Sequence, residues 1–365
     1  MHLPDDLTQA VNQTVTRHLS TQFGSRDLLL TADEFREVST EAAEMGARLL
    51  EPMIHQCYPL SQYDTQVINV AFDDHDEASR VCAALAFGAS TAMLFGRPGE
   101  ERGEHHRLVE LLSAIFNLGV GLIDGICDDD RPAGLRMLDL IESGDVATAA
   151  VQQRPRGWLR VRLPDDLQSD AAASFALDVV ETFFSMLHAA FPNDRSLGLR
   201  ENVGAQLAAA MRAERSSLTA SLTRTAPEAL IRWSRATSVL PFQIVATLAG
   251  GDDSVVESGA ATLVGEAMWR IDDLVDLCDD AAAGALNAVL VDAFAAAPDH
   301  GFGDRQRLSV VESLLGSGRI ADVAAQAAED LAGGLRLVSR GRPRSREQQM
   351  FLHFTQRYAG VDLTG

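Results

Sequence analysis

The sequence predicts an all-α protein, on three observations. Apolar residues recur three and four positions apart rather than at every second position, as in helices with one buried face. Ala, Leu and Val dominate the apolar set, and aromatics make up only 6% of the chain. The breaks between periodic runs, such as GRPGEERGE, FPNDRSLG, AGGDD, PDHGFGD and SRGRPRSRE, are short and rich in turn residues.

Taken in order, Thr31 with Glu34 in TADEFREV has the capping-box pattern and opens a helix running to about Leu50. DEASRVCAALAFGASTAMLF (76–95) reads as a second helix. The acids of AFDDHDEASR (71–80) stand beside its start, where they favour the helix dipole. HRLVELLSAIFNLGVGLIDGICDD (106–129) is apolar on nearly every face above Asp124, the pattern of a buried helix. Further helices fit 172–190, 200–222, 227–249 and 254–280, then two or three more. QQRPRGWLRVRLPDD (152–166) is the least helical segment and suits a small extended excursion. With no long linker, low-complexity tract or short repeat, residues 1–365 read as one domain of ten to twelve helices.

A formal net charge of −21 repels duplex nucleic acid and anionic membrane surfaces. No uncharged apolar run of about 18 residues suggests a membrane span. MHLPDDLTQAVNQ has neither the basic nor the apolar region of a signal peptide. Cys57, Cys82, Cys127 and Cys278 show no zinc or disulfide spacing. The expected location is the cytoplasm. There is no GxSxG elbow, no Walker loop and no HExxH among the nine histidines; His105-His106 stands at a helix start and reads as surface.

Two acidic clusters carry the chemistry. In LIDGICDDDRPAG, Asp124 and Asp128 lie one helical turn apart on one face, with Asp129 and Asp130 following. In AMWRIDDLVDLCDD, Asp272, Asp273 and Asp276 stand together and Asp280 lies one turn further. Asp is a poor residue for a helix interior, and like charges four apart repel by ~0.2–0.5 kcal/mol per pair. A solvated helix end explains either cluster alone. Two clusters that each end a long apolar helix point instead to cations. Mg²⁺ suits such sites, because it takes oxygen ligands and is held by one or two carboxylates plus substrate phosphates.

These residues resemble the trans-isoprenyl diphosphate synthases (polyprenyl synthetases) of the class I terpenoid-synthase superfamily. MWRIDDLVDLCDD is similar to that family's second aspartate-rich motif: every acidic position is present, and Trp269-Arg270 replace the usual Phe-Gln. LIRWSRATSVLPFQIVATLAGG resembles the helix carrying the family's Lys-Thr pair, with Arg232 or Arg235 near the lysine. GAQLAAAM resembles GGQxxDL, keeping Gln206 but with Ala209 for the Asp. The resemblance covers roughly 100–285. It implies a class I isoprenoid-synthase-like helical bundle around a central apolar cavity, its mouth lined by the two clusters, and possible homodimers.

By the same resemblance, Asp124, Asp128, Asp129, Asp272, Asp273, Asp276 and Asp280 would ligate Mg²⁺, with Asp124, Asp128, Asp272 and Asp276 catalytic. Arg131, Gln206, Arg232, Arg235, Arg357 and Tyr358 would meet the diphosphate of an allylic isoprenyl substrate. The last two form an Arg-Tyr pair like that of bacterial class I terpene cyclases. Phe116, Leu118, Val120, Met268 and Trp269 would wall the cavity. The basic stretch RLVSRGRPRSRE (Arg340, Arg342, Arg344, Arg346) could cover a diphosphate, although a solvated turn fits it better.

The first motif departs from the family. Gly125 stands where DDxxD has its second Asp, and one following arginine is gone. GKxxRP, which holds isopentenyl diphosphate in the family, is echoed only by Gly46, Arg48 and Pro52. The expected activity is therefore ionisation of an allylic diphosphate, followed by cyclisation or transfer to a non-standard acceptor. Ordinary chain elongation and a non-catalytic partner subunit are the alternatives.

Overall fold

The structure is a computed structural model that describes residues 3–57, 77–96, 103–164, 167, 170–220, 225–250, 255–295, 304–339 and 344–361. Asp73, Asp74 and Asp76 of the acidic stretch before the second helix lie outside these residues, as do Arg340 and Arg342. Among the described residues the regular elements are helices, fifteen of them α. The all-α expectation therefore holds, with more and shorter helices than the periodicity suggested.

The chain divides into two compact units. One comprises Met1–Phe35, Ala213–Phe242 and Gly259–Gly365, the other Arg36–Arg212 and Gln243–Ser258. In chain order the helices are α1 (Asp5–Ser25), α2 (Ala32–Cys57), α3 (Glu77–Phe95), α4 (Glu104–Asp129), α5 (Arg131–Ser143), α6 (Val146–Val151), α7 (Ala171–Ala190) and α8 (Leu197–Thr219). They continue as α9 (Pro227–Gly250), α10 (Val255–Val275), α11 (Leu277–Ala283), α12 (Ala288–Ala295), α13 (Asp304–Gly316), α14 (Arg319–Ser339) and α15 (Arg346–Tyr358).

In the unit that holds most of the N-terminal half, α4 packs against α3, α5 and α7. Its length follows from the apolar series Val109, Leu112, Ile115, Phe116, Leu118, Leu122 and Ile123, all buried. Full burial of each such side chain contributes ~1.5–3 kcal/mol. By length and composition α4 could cross a membrane, but more than half of its most apolar stretch is buried inside the protein. Gly46 explains the GKxxRP echo differently: a Cβ there would come within 2.3 Å of the Cys82 carbonyl oxygen, so the glycine lets α2 approach α3.

Residues 152–164 form turns and a one-turn 3₁₀ helix, Arg160–Arg162, in place of the expected extended excursion. The loop turns at Gly157, whose φ of 78° favours glycine. It is held by the buried Glu181 carboxylate on α7. Glu181 accepts from the backbone N–H groups of Gly157, Leu159 (2.7 Å) and Arg160 (3.3 Å). Nearby Asp178 is pushed up to about 6 by burial; Arg160 at 3.4 Å works against the shift and Glu181 adds to it.

In the other unit, α1 packs on α13 and α14 through Val11, Val15, Leu19 and Phe23. The Thr31–Glu34 capping box is present: the Glu34 N–H donates to Thr31 Oγ1 (3.3 Å) and the Thr31 N–H to Glu34 Oε2 (2.8 Å). α2 then runs past Leu50 to Cys57, with Pro52 inside it. Arg344 donates to the carbonyls of Asp27 and Leu29 and thus fastens the α1–α2 connection.

His353 on α15 is 1% exposed, and its two ring nitrogens have no hydrogen-bond partner. The Phe35 ring lies 4.6 Å away, centroid to centroid. Burial, with Arg357 adding repulsion, lowers its pKa to about 4. Between pH 6.5 and about 4 the unfolded chain therefore binds a proton that the folded chain refuses. Above pH 6.5 protonation adds no penalty, and stability falls as pH drops through this window, by up to about 3 kcal/mol. Urea titrations of wild type and His353→Leu at pH 7 and 4.5 should show a smaller acid loss in the variant. Equal losses would refute this assignment.

Candidate active site

The first acidic cluster sits at the C-terminal end of α4. Asp124, Asp128 and Asp129 are exposed there, although the Asp128 carboxyl is partly covered. That burial, with Asp129 beside it, raises its pKa. Asp130 instead caps α5, its Oδ1 accepting from the Ala133 N–H at 3.0 Å. Arg131 is exposed at the first position of α5. A Cβ on Gly134 would come within 2.6 Å of the Cys127 Cα, so glycine brings α5 hard against the end of α4.

Gly125, where the resembled motif carries an aspartate, faces open space. Packing therefore does not explain the missing carboxylate. Since Gly in a helix costs ~1 kcal/mol relative to Ala, Gly125→Ala should stabilise the protein by ~0.5–1 kcal/mol. A lower thermal midpoint would show that the glycine is needed for its conformation.

Inward along α4 lies an apolar cleft lined by Phe116, Gly119, Val120 and Ile123 of α4, with Val179, Val180 and Phe183 of α7 and Leu207 and Met211 of α8 among its other walls. Its cavity volume is about 30 Å³, room for one or two waters. Phe116 and Phe183 face each other across 5.4 Å. Val120 is one turn and Phe116 two turns before Asp124, which spans ~12 Å at 1.5 Å per residue. Two of the expected wall residues, Phe116 and Val120, thus line one cleft; Leu118 is buried but is not among its lining residues. Gln206, on α8, accepts a 3.5 Å hydrogen bond from Thr247.

The second cluster closes α10 in the other unit. The expected continuous helix 254–280 is interrupted at Asp276 (φ −91°, ψ 6°), between α10 and α11. The break falls where aspartates repeat at a spacing of four, which is where helix continuation is least favourable. Asp272 and Asp276 are half-buried, and both reach the Tyr358 hydroxyl at the end of α15. Tyr358 donates to Asp272 Oδ1 and lies 3.5 Å from Asp276 Oδ2. Asp273 points inward. Its carboxyl is buried and accepts from the Ala288 N–H; burial first, then Asp272 and the other nearby acids, holds its pKa well above the carboxylate range.

The remaining expected residues occupy the same unit. Trp269 is buried, its indole N–H donating to Ser234 Oγ at 2.8 Å. Met268 is half-buried, its sulfur 3.8 Å from Thr355 Oγ1. Arg235 is paired with Glu266. Arg232 and Arg357 are exposed. Arg270, which stands where the resembled motif has Gln, bridges Asp330 (2.7 Å) and the Glu266 carbonyl (3.0 Å). Sequence reasoning missed Asp330, Glu266 and Asn287. Only Arg270, as a charged residue in an apolar run, signalled a buried partner.

Among the described residues no group of three or more His, Cys, Asp or Glu side chains is placed to hold a metal ion by itself. The donor chemistry nevertheless fits Mg²⁺. Asp272 and Asp276 converge on one hydroxyl, and Mg²⁺ takes its other oxygens from substrate and water.

No family model and no curated protein matches the sequence. Similar solved structures do exist. The decaprenyl diphosphate synthase from Rhodobacter capsulatus is 15% identical, with 91% of this chain and all of that one covered, at a TM-score of 0.51. The geranylgeranyl pyrophosphate synthase from Lactobacillus brevis complexed with citrate is 12% identical over 90% of this chain and 98% of that one, at 0.48. The farnesyl diphosphate synthase from T. brucei is 15% identical over 90% and 99%, at 0.41. The chain has the all-α fold of the trans-isoprenyl diphosphate synthases.

Proposed function

We propose that this protein is a class I terpenoid-synthase-type enzyme. It ionises an allylic prenyl diphosphate and then cyclises the cation or transfers it to a non-standard acceptor. One observation carries the reading: α4 presents carboxylates at its end and, one and two turns inward, the wall of an apolar cleft. Such an element suits an amphiphile with a charged head and a hydrocarbon tail. With a cavity volume of only about 30 Å³ the cleft is closed here, and a hydrocarbon tail would enter by parting the Phe116 and Phe183 side chains.

Asp124 and Asp128 on α4, and Asp272 and Asp276 at the α10–α11 break, would hold Mg²⁺. A divalent cation on the diphosphate oxygens supplies Lewis-acid withdrawal of the leaving group's electrons. The protein's own groups do the rest. Arg131, which follows the first cluster at the start of α5, offers a cation to the departing diphosphate. Tyr358 orients Asp272 and Asp276 through its hydroxyl. Phe116, Val120 and Phe183 hold the tail and keep water from the carbocation. Cytoplasmic location, a one-domain chain and homodimers belong to the same reading.

The test is incubation with Mg²⁺ and geranyl, farnesyl or geranylgeranyl diphosphate, with and without isopentenyl diphosphate. Pyrophosphate and organic products are followed together. A cyclic or hydroxylated product from one allylic substrate alone supports the proposal. A longer linear diphosphate formed only with isopentenyl diphosphate replaces it with chain elongation. Absence of release under every condition leaves an acceptor outside this set or a non-catalytic subunit.

A further inference from the structure

The second cluster packs five carboxylates, at 272, 273, 276, 279 and 280, into nine residues, and the fold contains a device that organises them. Asn287, at the start of α12, is 0% exposed. Its amide nitrogen donates to the Asp273 carbonyl (2.7 Å) and to Asp280 Oδ2 (2.9 Å). Its amide oxygen accepts from the N–H groups of Val289 (3.0 Å) and Leu290 (3.4 Å), which makes it the N-cap of α12. Both donors and both acceptor positions of the side chain are used.

That one side chain ties together the end of α10, the first turn of α11 and the start of α12. The connection between α11 and α12 is sharpened by Gly284 (φ 70°), where the N–H groups of Gly284 (2.7 Å) and Ala285 (2.9 Å) both return to the Asp280 carbonyl. Asp280 is thereby turned toward Asn287. Asp272 and Asp276 are the members that meet Tyr358.

We propose that Asn287 is a positioning residue for cation binding: it fastens Asp280 and the Asp273 backbone, and so sets the placement of Asp272 and Asp276. On this division Asp280 braces the cluster rather than ligating the metal. The inference rests on the proposed function, because it assumes that the cluster meets Mg²⁺ and a diphosphate.

Calorimetric titration of Mg²⁺ in the presence of inorganic pyrophosphate tests it without turnover, alongside thermal melting. Asn287→Ser keeps a capping oxygen and no charge but cannot reach Asp280. Mg²⁺–pyrophosphate binding should weaken at least about tenfold, with helicity retained. The double variant Asn287→Asp with Asp280→Asn exchanges donor and acceptor across the 287–280 bond at constant charge but leaves the Asp273 carbonyl without its donor, so binding should recover in part, by at least about threefold over Asn287→Ser. Wild-type binding in Asn287→Ser, or a double variant as weak as the single, overturns the inference. Absence of Mg²⁺-dependent binding in wild type itself counts against the proposed function. In that event the brace is judged by melting alone, where the single variant should lose stability and the exchange should recover it; no such recovery refutes it.

Discussion

Replacing Asp276 by alanine is expected to lower Mg²⁺-dependent diphosphate release by about 10²–10³-fold, the scale on which one preorganised electrostatic group acts at a reaction centre. Stability should not fall with it. Asp276 sits four residues from both Asp272 and Asp280, and each such like-charge pair costs ~0.2–0.5 kcal/mol. Removing it relieves two repulsions and leaves Tyr358 hydrogen-bonded to Asp272. The expected pair of results is a nearly inactive protein with an unchanged or slightly higher melting temperature. A group kept against its own stability cost marks a functional site. Retained activity in Asp276→Ala would remove the α10–α11 break from the mechanism.

The second large effect is structural. Glu181→Ala should destabilise the protein by about 4–5 kcal/mol, the lower end of what three hydrogen bonds to a charged group contribute at ~1.5–3 kcal/mol each. Three backbone N–H groups converge on this carboxylate, and Leu159, one of the donors, is fully buried. The loop it holds also packs Trp158 over Phe184, with ring centroids 6.2 Å apart. Asp178 would lose a like-charged neighbour, the smallest contributor to its raised pKa, so burial should keep that pKa high. Glu181→Gln, keeping one acceptor oxygen, should lose roughly half as much. Urea unfolding at constant slope measures both variants; a loss below about 1 kcal/mol for Glu181→Ala would mean that water satisfies the loop equally well.

Much of the architecture was legible in the residues. The 76–95, 106–129, 172–190 and 227–249 runs match α3, α4, α7 and α9 to within two residues at each end, because their apolar faces persist over many turns. The pattern failed where local chemistry overrode it. Apolar residues continue through Leu274, Leu277 and Cys278, so nothing in the periodicity marked the break at Asp276. α1 carries a stripe at 11, 15, 19 and 23 that could have been read, but its other faces are polar and conceal it. At the site, Phe116 and Val120 were found from their distance to Asp124 along one helix. Asn287 escaped because a lone Asn after Gly284 looks like an ordinary loop residue. Its two donor bonds go to Asp273 and Asp280, 14 and 7 positions away, and only the folded chain shows them.

The proposed function stands or falls on a charged head meeting the carboxylates while a hydrocarbon tail enters the α4 cleft. A crystal structure with Mg²⁺ and a non-ionisable thiolo analogue of an allylic diphosphate tests this pairing most directly. Tail carbons are expected against Phe116, Val120 and Phe183, with metal ions on Asp124 and Asp128 at the end of the same helix. A tail bound away from the cleft, or no metal on these two carboxylates, would contradict it.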